Sequence, residues 1–578
     1  MQTVLCPTES LSLQESGSQK GSQRGLIALV FFIVCGIVVI ALDRPPRPVP
    51  AQASLSVFSA ERAIKHLAVI SRAPHPINSA EHDAVRDYIM STLRGIGLAP
   101  QVQRTTDVNE NYGIEGALEN IVCRLPGSTH EKALLLVSHY DSVPTGPGAS
   151  DDGVAVAAFL EGARVLKSLP QLKRDVIILF TDGEEKHLMG AQAFVTEHPW
   201  AHEVGFVMNF EARGNSGPSI MFESSDENGW LINNFGQAAS HPVANSLSYE
   251  IYKRLPNNTD FTVFREAGYS GLNFAFIGGL EYYHTPLDSI QNVDLGSLQH
   301  HGDYVLELAK QFGNAATDDA KKPNLIYFDV LGSVLVRYAQ PTAIFLLVFT
   351  GILFAVAAYL GLRSSNLRIG ASLFGLLCMV LGVGVAIMSA EAASWLIFSL
   401  QKQSPMIRAG LWYHSGLYIL AFSMTGLACA MVFYSLVSKW VSSENLAMGA
   451  LVGWFALAIV VSTYLSGASY LFVWPLLFSL LGWVIVFARR RTSATTRSVL
   501  LVLSGVPAVV LLVPMMHKIF FAFASHSAAI VSALLGLLLT LMIGQIAPET
   551  VSRRWLPPLL LAAVAVGLFI TAITVSVV

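Results

Sequence analysis

At 578 residues the chain is too long for one domain. Its composition, 53% hydrophobic and 13% charged with a mean hydropathy of +0.51, excludes an ordinary soluble protein. The net charge of −3 gives no basis for nucleic acid as a partner or for a polybasic surface.

Residues 1–24 are polar and rich in Ser and Gln, which predicts a disordered cytoplasmic leader. Residues 25–42 are an uncharged apolar run just long enough to span a bilayer. The segment after it, DRPPRPVP, lacks a small-residue cleavage pattern, so the run predicts a signal anchor rather than a cleaved peptide. The Pro-rich stretch 44–50 predicts a stiff linker.

Residues 43–325 then read as a soluble domain. Helical periodicity marks 60–70 and 80–93, and strand-like pieces follow at 98–103 and 120–124. Three continuous apolar runs come next, at 133–137, 176–180 and 206–210, with helical patterns at 153–166 and 191–197 between them. Such runs predict buried parallel strands. A fourth strand is expected at 271–277 and a last helix at 295–312. The alternation argues a three-layer α/β/α domain with a mostly parallel central sheet.

After a polar linker at 318–324, the region 341–578 predicts an all-α, polytopic membrane domain of about eight helices. They are expected at 341–361, 369–389, 411–437, 446–465, 470–488, 498–516, 527–546 and 556–578. With a cytoplasmic amino terminus, eleven Lys and Arg fall in inside loops, against Lys402, Arg408 and Lys518 in the short loops opposite. That bias predicts an integral multi-pass protein whose soluble domain is non-cytoplasmic. Of the five cysteines only Cys123 lies in the soluble region, so no disulfide forms inside it. The scarcity of cysteine and the single glycosylation sequon, Asn257, favour a bacterial inner membrane facing the periplasm over an endoplasmic reticulum or vacuolar lumen.

The chemistry sits at the ends of the three apolar runs. They lead into His139 and Asp141, into Asp182, Glu184 and Glu185, and into Glu211. In open α/β sheets the working groups collect beyond the carboxyl ends of strands. Without a Cys cluster, any metal must use His and carboxylate. Two zinc ions sharing one carboxylate and clamping a hydroxide need about five ligands and a free base. His139, Asp151, Glu185, Glu211 and His284 supply the ligands, and Glu184 stands beside Glu185.

The motifs HYD at 139–141, GASDDG at 148–153, GEE at 183–185, NFE at 209–211 and YYHT at 282–285 together resemble the co-catalytic di-zinc aminopeptidases and glutamate carboxypeptidases of metallopeptidase family 28. The resemblance implies a zinc-exopeptidase-like fold and a membrane-bound di-zinc peptidase, an aminopeptidase by family preference. It implies that His139 and Glu211 hold one zinc, Glu185 and His284 the other, and that Asp151 bridges them. Glu184 would be the general base, Asp141 would orient a ligand, and Tyr283 would polarise the scissile carbonyl or steady the oxyanion. Glu211, where many soluble members carry Asp, resembles the membrane-embedded branch of the family.

Beside these readings stand plainer ones. Asp152 is expected to favour the start of the next helix. His187, His198, His202, His241, His300 and His301 are expected at the surface, and Asp288 is expected to orient the His284 loop. Glu391, His414 and His517 are expected near span ends. Two other functions compete. A glutaminyl cyclase would need one zinc, and a non-catalytic peptidase-like assembly module would have lost ligands that this chain keeps. Peptides and the lipid bilayer are the expected partners; oligomeric state is open.

Overall fold

The computed structural model describes residues 7–105, 118–315, 320–401, 415–489, 493–523, 527–546 and 555–575. Two compact units emerge: Asp43–Gln340, and Met1–Leu42 together with Pro341–Val578. His414, Lys402, Arg408 and the basic residues 490, 491, 553 and 554 lie outside the described residues.

The Asp43–Gln340 unit is built on a seven-stranded sheet. Its strands are β1 (Gln101–Thr105), β2 (Leu118–Leu125), β3 (Ala133–His139), β4 (Val176–Thr181), β5 (Val204–Ala212), β6 (Ile220–Ser224) and β7 (Ser270–Phe276), in the spatial order β1-β2-β4-β3-β5-β7-β6. β4, β3, β5 and β7 run parallel, while β1, β2 and β6 pair antiparallel at the edges. The three expected strands are therefore neighbours at the centre.

Their side chains alternate between two cores, as a pleated strand requires. Leu134, Leu136, Ile178, Phe180, Met208 and Phe210 face one core; Leu135, Val137, Ile177, Leu179 and Val207 face the other. The first is covered by α2 (Ala60–Ile70), α3 (Ala80–Gly95), α4 (Val154–Ser168), α6 (Gly229–Ala238) and α9 (Leu295–Gly313). The second is covered by α5 (Met189–Glu197) and α8 (Asp260–Glu266), through Ala191, Phe194, Phe261 and Phe264, while the short α7 (Ser246–Tyr252) packs against β6. The domain is thus three layers, α/β/α, as the alternation predicted. Ser59, Ser79 and Asp294 accept backbone N–H bonds at the starts of α2, α3 and α9, satisfying donors that a helix leaves open.

Two boundaries differ from the expectation. The stretch expected as a free linker at 44–50 is tied to the domain: Val49 N donates to Gln299 Oε1 at 2.9 Å, and Ser59 Oγ donates to the Val49 carbonyl at 2.8 Å. The domain also extends past residue 325. β8 (Leu325–Val330) and β9 (Val334–Ala339) form an antiparallel hairpin whose Ile326, Tyr327, Phe328 and Leu335 are buried. The hairpin leads straight into helix Gln340–Arg363, so the composition shift near 340, not the polar linker, marks the domain's end.

In the other unit, α1 runs from Pro7 to Leu42. The leader expected to be disordered is therefore helical from residue 7 onward. Pro fits the first turn of a helix, and extending an existing apolar helix costs far less than nucleating a new one. Among the described residues eight helices are long and apolar enough to cross a membrane: 24–42, 340–363, 369–400, 416–437, 443–464, 470–488, 494–523 and 556–575. The span expected at 527–546 is instead a 15-residue helix, Ser527–Leu541, followed by the short turn Ile543–Ile546. At ~1.5 Å per residue it falls short of a ~30 Å hydrocarbon core.

Pro507 and Pro514 both lie inside helix Ala494–Phe523 and do not end it, as neighbouring helices can satisfy the freed carbonyls. Helix Ile369–Leu400 packs on Ser443–Tyr464 through small residues. A Cβ on Gly449 would come within 2.4 Å of Gly375, the close approach that glycine permits between membrane helices. Glu391 is exposed on that helix, and His517 is half-buried, edge-on to Phe521 at 4.7 Å.

Candidate metal centre

The parallel strands deliver the site residues at their carboxyl ends. β3 ends in His139 and leads to Asp141; β4 leads to Glu184 and Glu185; β5 carries Glu211; the segment after β7 carries Tyr283 and His284. Asp151 and Asp152 come from the turn before α4, at residues 149–153. The chain turns sharply after β4 through Gly183, whose φ of 67° favours glycine; a Cβ there would meet Met189 Cε at 2.9 Å.

The eight residues expected at the site converge. Asp151 turns one oxygen to each of two imidazoles: Oδ1 lies 3.2 Å from His139 Nε2, and Oδ2 lies 3.1 Å from His284 Nε2. Glu211 Oε2 approaches His139 Nε2 at 3.7 Å, and Glu185 Oε1 approaches His284 Nε2 at 3.2 Å. Asp141 organises both halves. Its backbone carbonyl meets His139 Nδ1 at 2.9 Å, and its carboxylate accepts the backbone N–H groups of Glu184 and Glu185 at 3.1 and 3.3 Å. Tyr283 stacks on the His284 ring, with centroids 3.8 Å apart. His284 itself has a φ of 58°, uncommon for a residue with a side chain. Thr145 Oγ1 holds its carbonyl at 2.9 Å.

Asp288 works on a different loop from the one expected. Its carboxylate accepts the backbone N–H groups of Ser150 and Asp151 at 2.7 and 3.2 Å, so it holds the turn that presents Asp151. Asp152 also departs from expectation. It makes no helix-capping bond, and both carboxylate oxygens are buried without a hydrogen-bond partner, near His139 and Glu211. The turn at 149–153 is not yet helical at Asp152 (φ −120°, ψ 31°), so its side chain faces inward rather than along the helix axis.

His300 and His301 are buried, not at the surface. His301 Nε2 donates to the Glu211 carbonyl at 3.1 Å and Nδ1 meets Ser219 Oγ at 2.8 Å. The amphipathic period of α9 was the available signal, since it places both rings on the helix's broad buried face.

Electrostatically, the protein alone is poorly balanced here. Burial, reinforced by neighbouring carboxylates, raises Glu184 and Asp152 well above the carboxylate range and pushes Glu211 up to about 8. Burial acts on Asp141 and Asp151 in the same sense, but hydrogen bonds from the imidazoles outweigh it and hold both low. Two donor sets, His139–Asp151–Glu185 and His139–Asp152–Glu211, have ligand atoms within 4.8 Å of one another. Carboxylates this crowded, some with no donor facing them, fit divalent cations that take nitrogen and oxygen ligands.

Residues 120–309 match the model of peptidase family M28. Endoplasmic reticulum metallopeptidase 1 of Mus musculus is 34% identical over 253 residues, which are 42% of this chain and 28% of that protein. Vacuolar membrane protease of Candida dubliniensis is 31% identical over 334 residues, 55% of this chain and 35% of that protein. The chain thus spans about a third of the length of these curated relatives. Among solved structures, an aminopeptidase from Aneurinibacillus sp. strain AM-1 aligns with a TM-score of 0.39 and 14% identity, over 47% of this chain and 98% of its own. Porphyromonas gingivalis glutaminyl cyclase aligns with a TM-score of 0.37 and 24% identity, over 44% of this chain and 98% of its own. The donor cluster lies within the matched residues: residues 120–309 form a peptidase family M28 domain, in a chain whose described residues also include eight helices long and apolar enough to cross a membrane.

Proposed function

We propose that the chain is a membrane-bound zinc exopeptidase that hydrolyses peptide bonds, acting as an aminopeptidase on the non-cytoplasmic side. The observation that carries the reading is Asp151, which offers one oxygen to each of two histidine-centred donor groups. In this reading His139 and Glu211 would hold one zinc, Glu185 and His284 would hold a second, and Asp151 would serve both. Bound zinc would polarise the scissile carbonyl and lower the pKa of water to about 7.

The chain's own groups do the rest. Glu184, whose backbone is fastened by Asp141, takes the proton from the attacking water on its carboxylate and returns it to the leaving nitrogen. The two adjacent glutamates lie in the turn after β4 and divide the work in this reading, Glu184 as base and Glu185 as ligand. Tyr283 donates its phenolic hydrogen to the developing oxyanion; burial and the surrounding carboxylates raise its pKa, so it stays protonated. Asp141 fixes the His139 ring as a ligand's outer partner does. Orientation rests on the distribution of Lys and Arg in the loops, and the preference for amino termini rests on the family.

The test is metal content together with peptidase activity of the full chain and of Glu184→Gln. About two zinc per chain, and chelator-sensitive activity that falls about 10²–10⁴-fold in Glu184→Gln while metal is retained, are expected. One zinc with cyclisation of amino-terminal glutamine would replace the peptidase by a cyclase. No metal and no turnover would overturn the enzyme reading.

A further inference from the structure

A row of buried polar side chains crosses three strands on the face that carries Glu211. Asn209 and Glu211 lie two residues apart on β5 and so point to the same face. Asn209 is paired in register with Asn273 on β7, and Asn273 with Glu223 on β6. All three are completely buried. Their hydrogen bonds form a directed chain. Asn209 Nδ2 donates to Glu211 Oε1 at 3.1 Å and to Asn273 Oδ1 at 3.0 Å. Asn273 Nδ2 donates to Glu223 Oε2 at 2.9 Å and to Thr259 Oγ1 at 2.9 Å. Arg265 closes the far end with an ion pair to Glu223 Oε1 at 3.1 Å.

Around this row the same sheet face carries Leu135, Val137, Leu179 and Val207, packed on Phe261 and Phe264, with Asn120 and Thr181 as its other buried polar side chains. Two amides and a carboxylate in such a place are costly unless bonded; here only Asn209 Oδ1 lacks a partner, and the bonds the row does make stiffen it. Its inner end explains what the stiffness is for. Glu211 carries one methylene more than Asp, hence one more torsion to hold. With Oε1 tied to Asn209, Oε2 is left turned toward His139.

We propose that Asn209, backed by Asn273, Glu223 and Arg265, is the positioning residue that locks the Glu211 carboxylate as a metal ligand. The relay rests on the di-zinc reading above and names what makes a glutamate workable at that site. It acts on one of the two metal positions, since the row's hydrogen bonds end on Glu211.

The experiment titrates the metal-stripped full chain with Zn2+ against a chromophoric chelator, and records the visible spectrum of the Co2+ form. Asn209→Ala is expected to weaken one site by about 10–100-fold, leave the other unchanged and alter the cobalt bands of one site only. Asn209→Asp keeps the volume but turns an acceptor toward Glu211, so its loss at that site is expected to exceed that of Asn209→Ala. A packing role predicts the reverse order. Unchanged affinities and spectrum in Asn209→Ala, or a milder loss in Asn209→Asp, would overturn the relay. Should either variant fail to fold, Glu223→Gln reads the far end: a smaller loss at the same site supports the relay, and equal affinity at both sites overturns it. A wild-type chain that binds no zinc would overturn the metallopeptidase reading itself, and the relay with it.

Discussion

The two units bury opposite things. The Asp43–Gln340 domain hides charge: Asp141, Asp151, Asp152, Asp182, Glu211, Glu223 and Asp260 are all buried in it. Among the described residues of the helical unit, the buried polar side chains are neutral ones such as Thr350, Asn445, Ser532 and Gln545, and none is Asp, Glu, His, Lys or Arg. That unit exposes its apolar side chains instead, including Phe345 at 66% and Val380 at 61%. Its interhelical ion pair, Arg497 with Glu444 at 2.7 Å, joins residues near helix ends and stays partly exposed. A sheet with its carboxyl edge open can gather charges around a cation. A helix bundle that must turn apolar faces outward has no such edge, and charge inside it is costly. The contrast places the gathered charge in the first unit.

The largest effect that would sharpen this contrast is the Glu184→Gln loss already described, which should be confined to catalysis. Next is core packing. Phe274 is fully buried, stacked on Phe210 with centroids 4.8 Å apart. Phe274→Ala should destabilise the domain by about 3–5 kcal/mol, read by thermal unfolding of the detergent-solubilised chain. Phe345→Ala should cost less than about 0.5 kcal/mol in the same assay. Equal losses would break the comparison, because Phe345 would then face protein rather than lipid.

A third test concerns buried titratable groups. Burial pushes His300 down to about 3, with the His241 carbonyl and Ser219 N–H as its ring partners. Its folded pKa lies below the ordinary 6.5, so the unfolded chain binds the proton more readily. The stability it contributes is complete above pH ~6.5 and is lost as pH falls toward ~3, at about 1.4 kcal/mol per unit. His300→Asn should flatten the acid limb of an unfolding-versus-pH curve by that slope. An unchanged limb would mean the ring is not buried neutral. The smallest effect belongs to the helical unit. Trp454 Nε1 donates to Thr540 Oγ1 at 3.0 Å, and Trp454→Phe should cost about 0.6 kcal/mol. A loss several times larger would show that this unit, too, depends on a buried polar contact.

Much of the site is legible in the sequence. The strands that lead to His139, Glu185 and Glu211 announce themselves by continuous apolar runs, and the motifs around them are short and local. Local signals were equally adequate for α9 and β7. They failed where tertiary contact overrides composition. The 44–50 stretch reads as a linker until Gln299 is seen to hold Val49. The β8–β9 hairpin is hidden beside a polar segment, and residues 527–546 are apolar enough to span but stop short at Leu541. His300 and His301 match no motif and so read as surface residues, though their phase on α9 puts them inside.

By itself the sequence determined the two-part division of the chain, the parallel strands and the residue types gathered at their ends. Each depends on patterns a few residues long: hydrophobic period, strand length and the side chain that follows. Only the tertiary structure decided which of two adjacent aspartates faces both histidines, that Asp152 turns inward without a capping role, and that Asn209, Asn273 and Glu223 stand in one row. Those relations join residues up to 133 positions apart, as between Asp151 and His284. Strand order and register set them, and neither can be read from any one segment, because each depends on where the other strands pack.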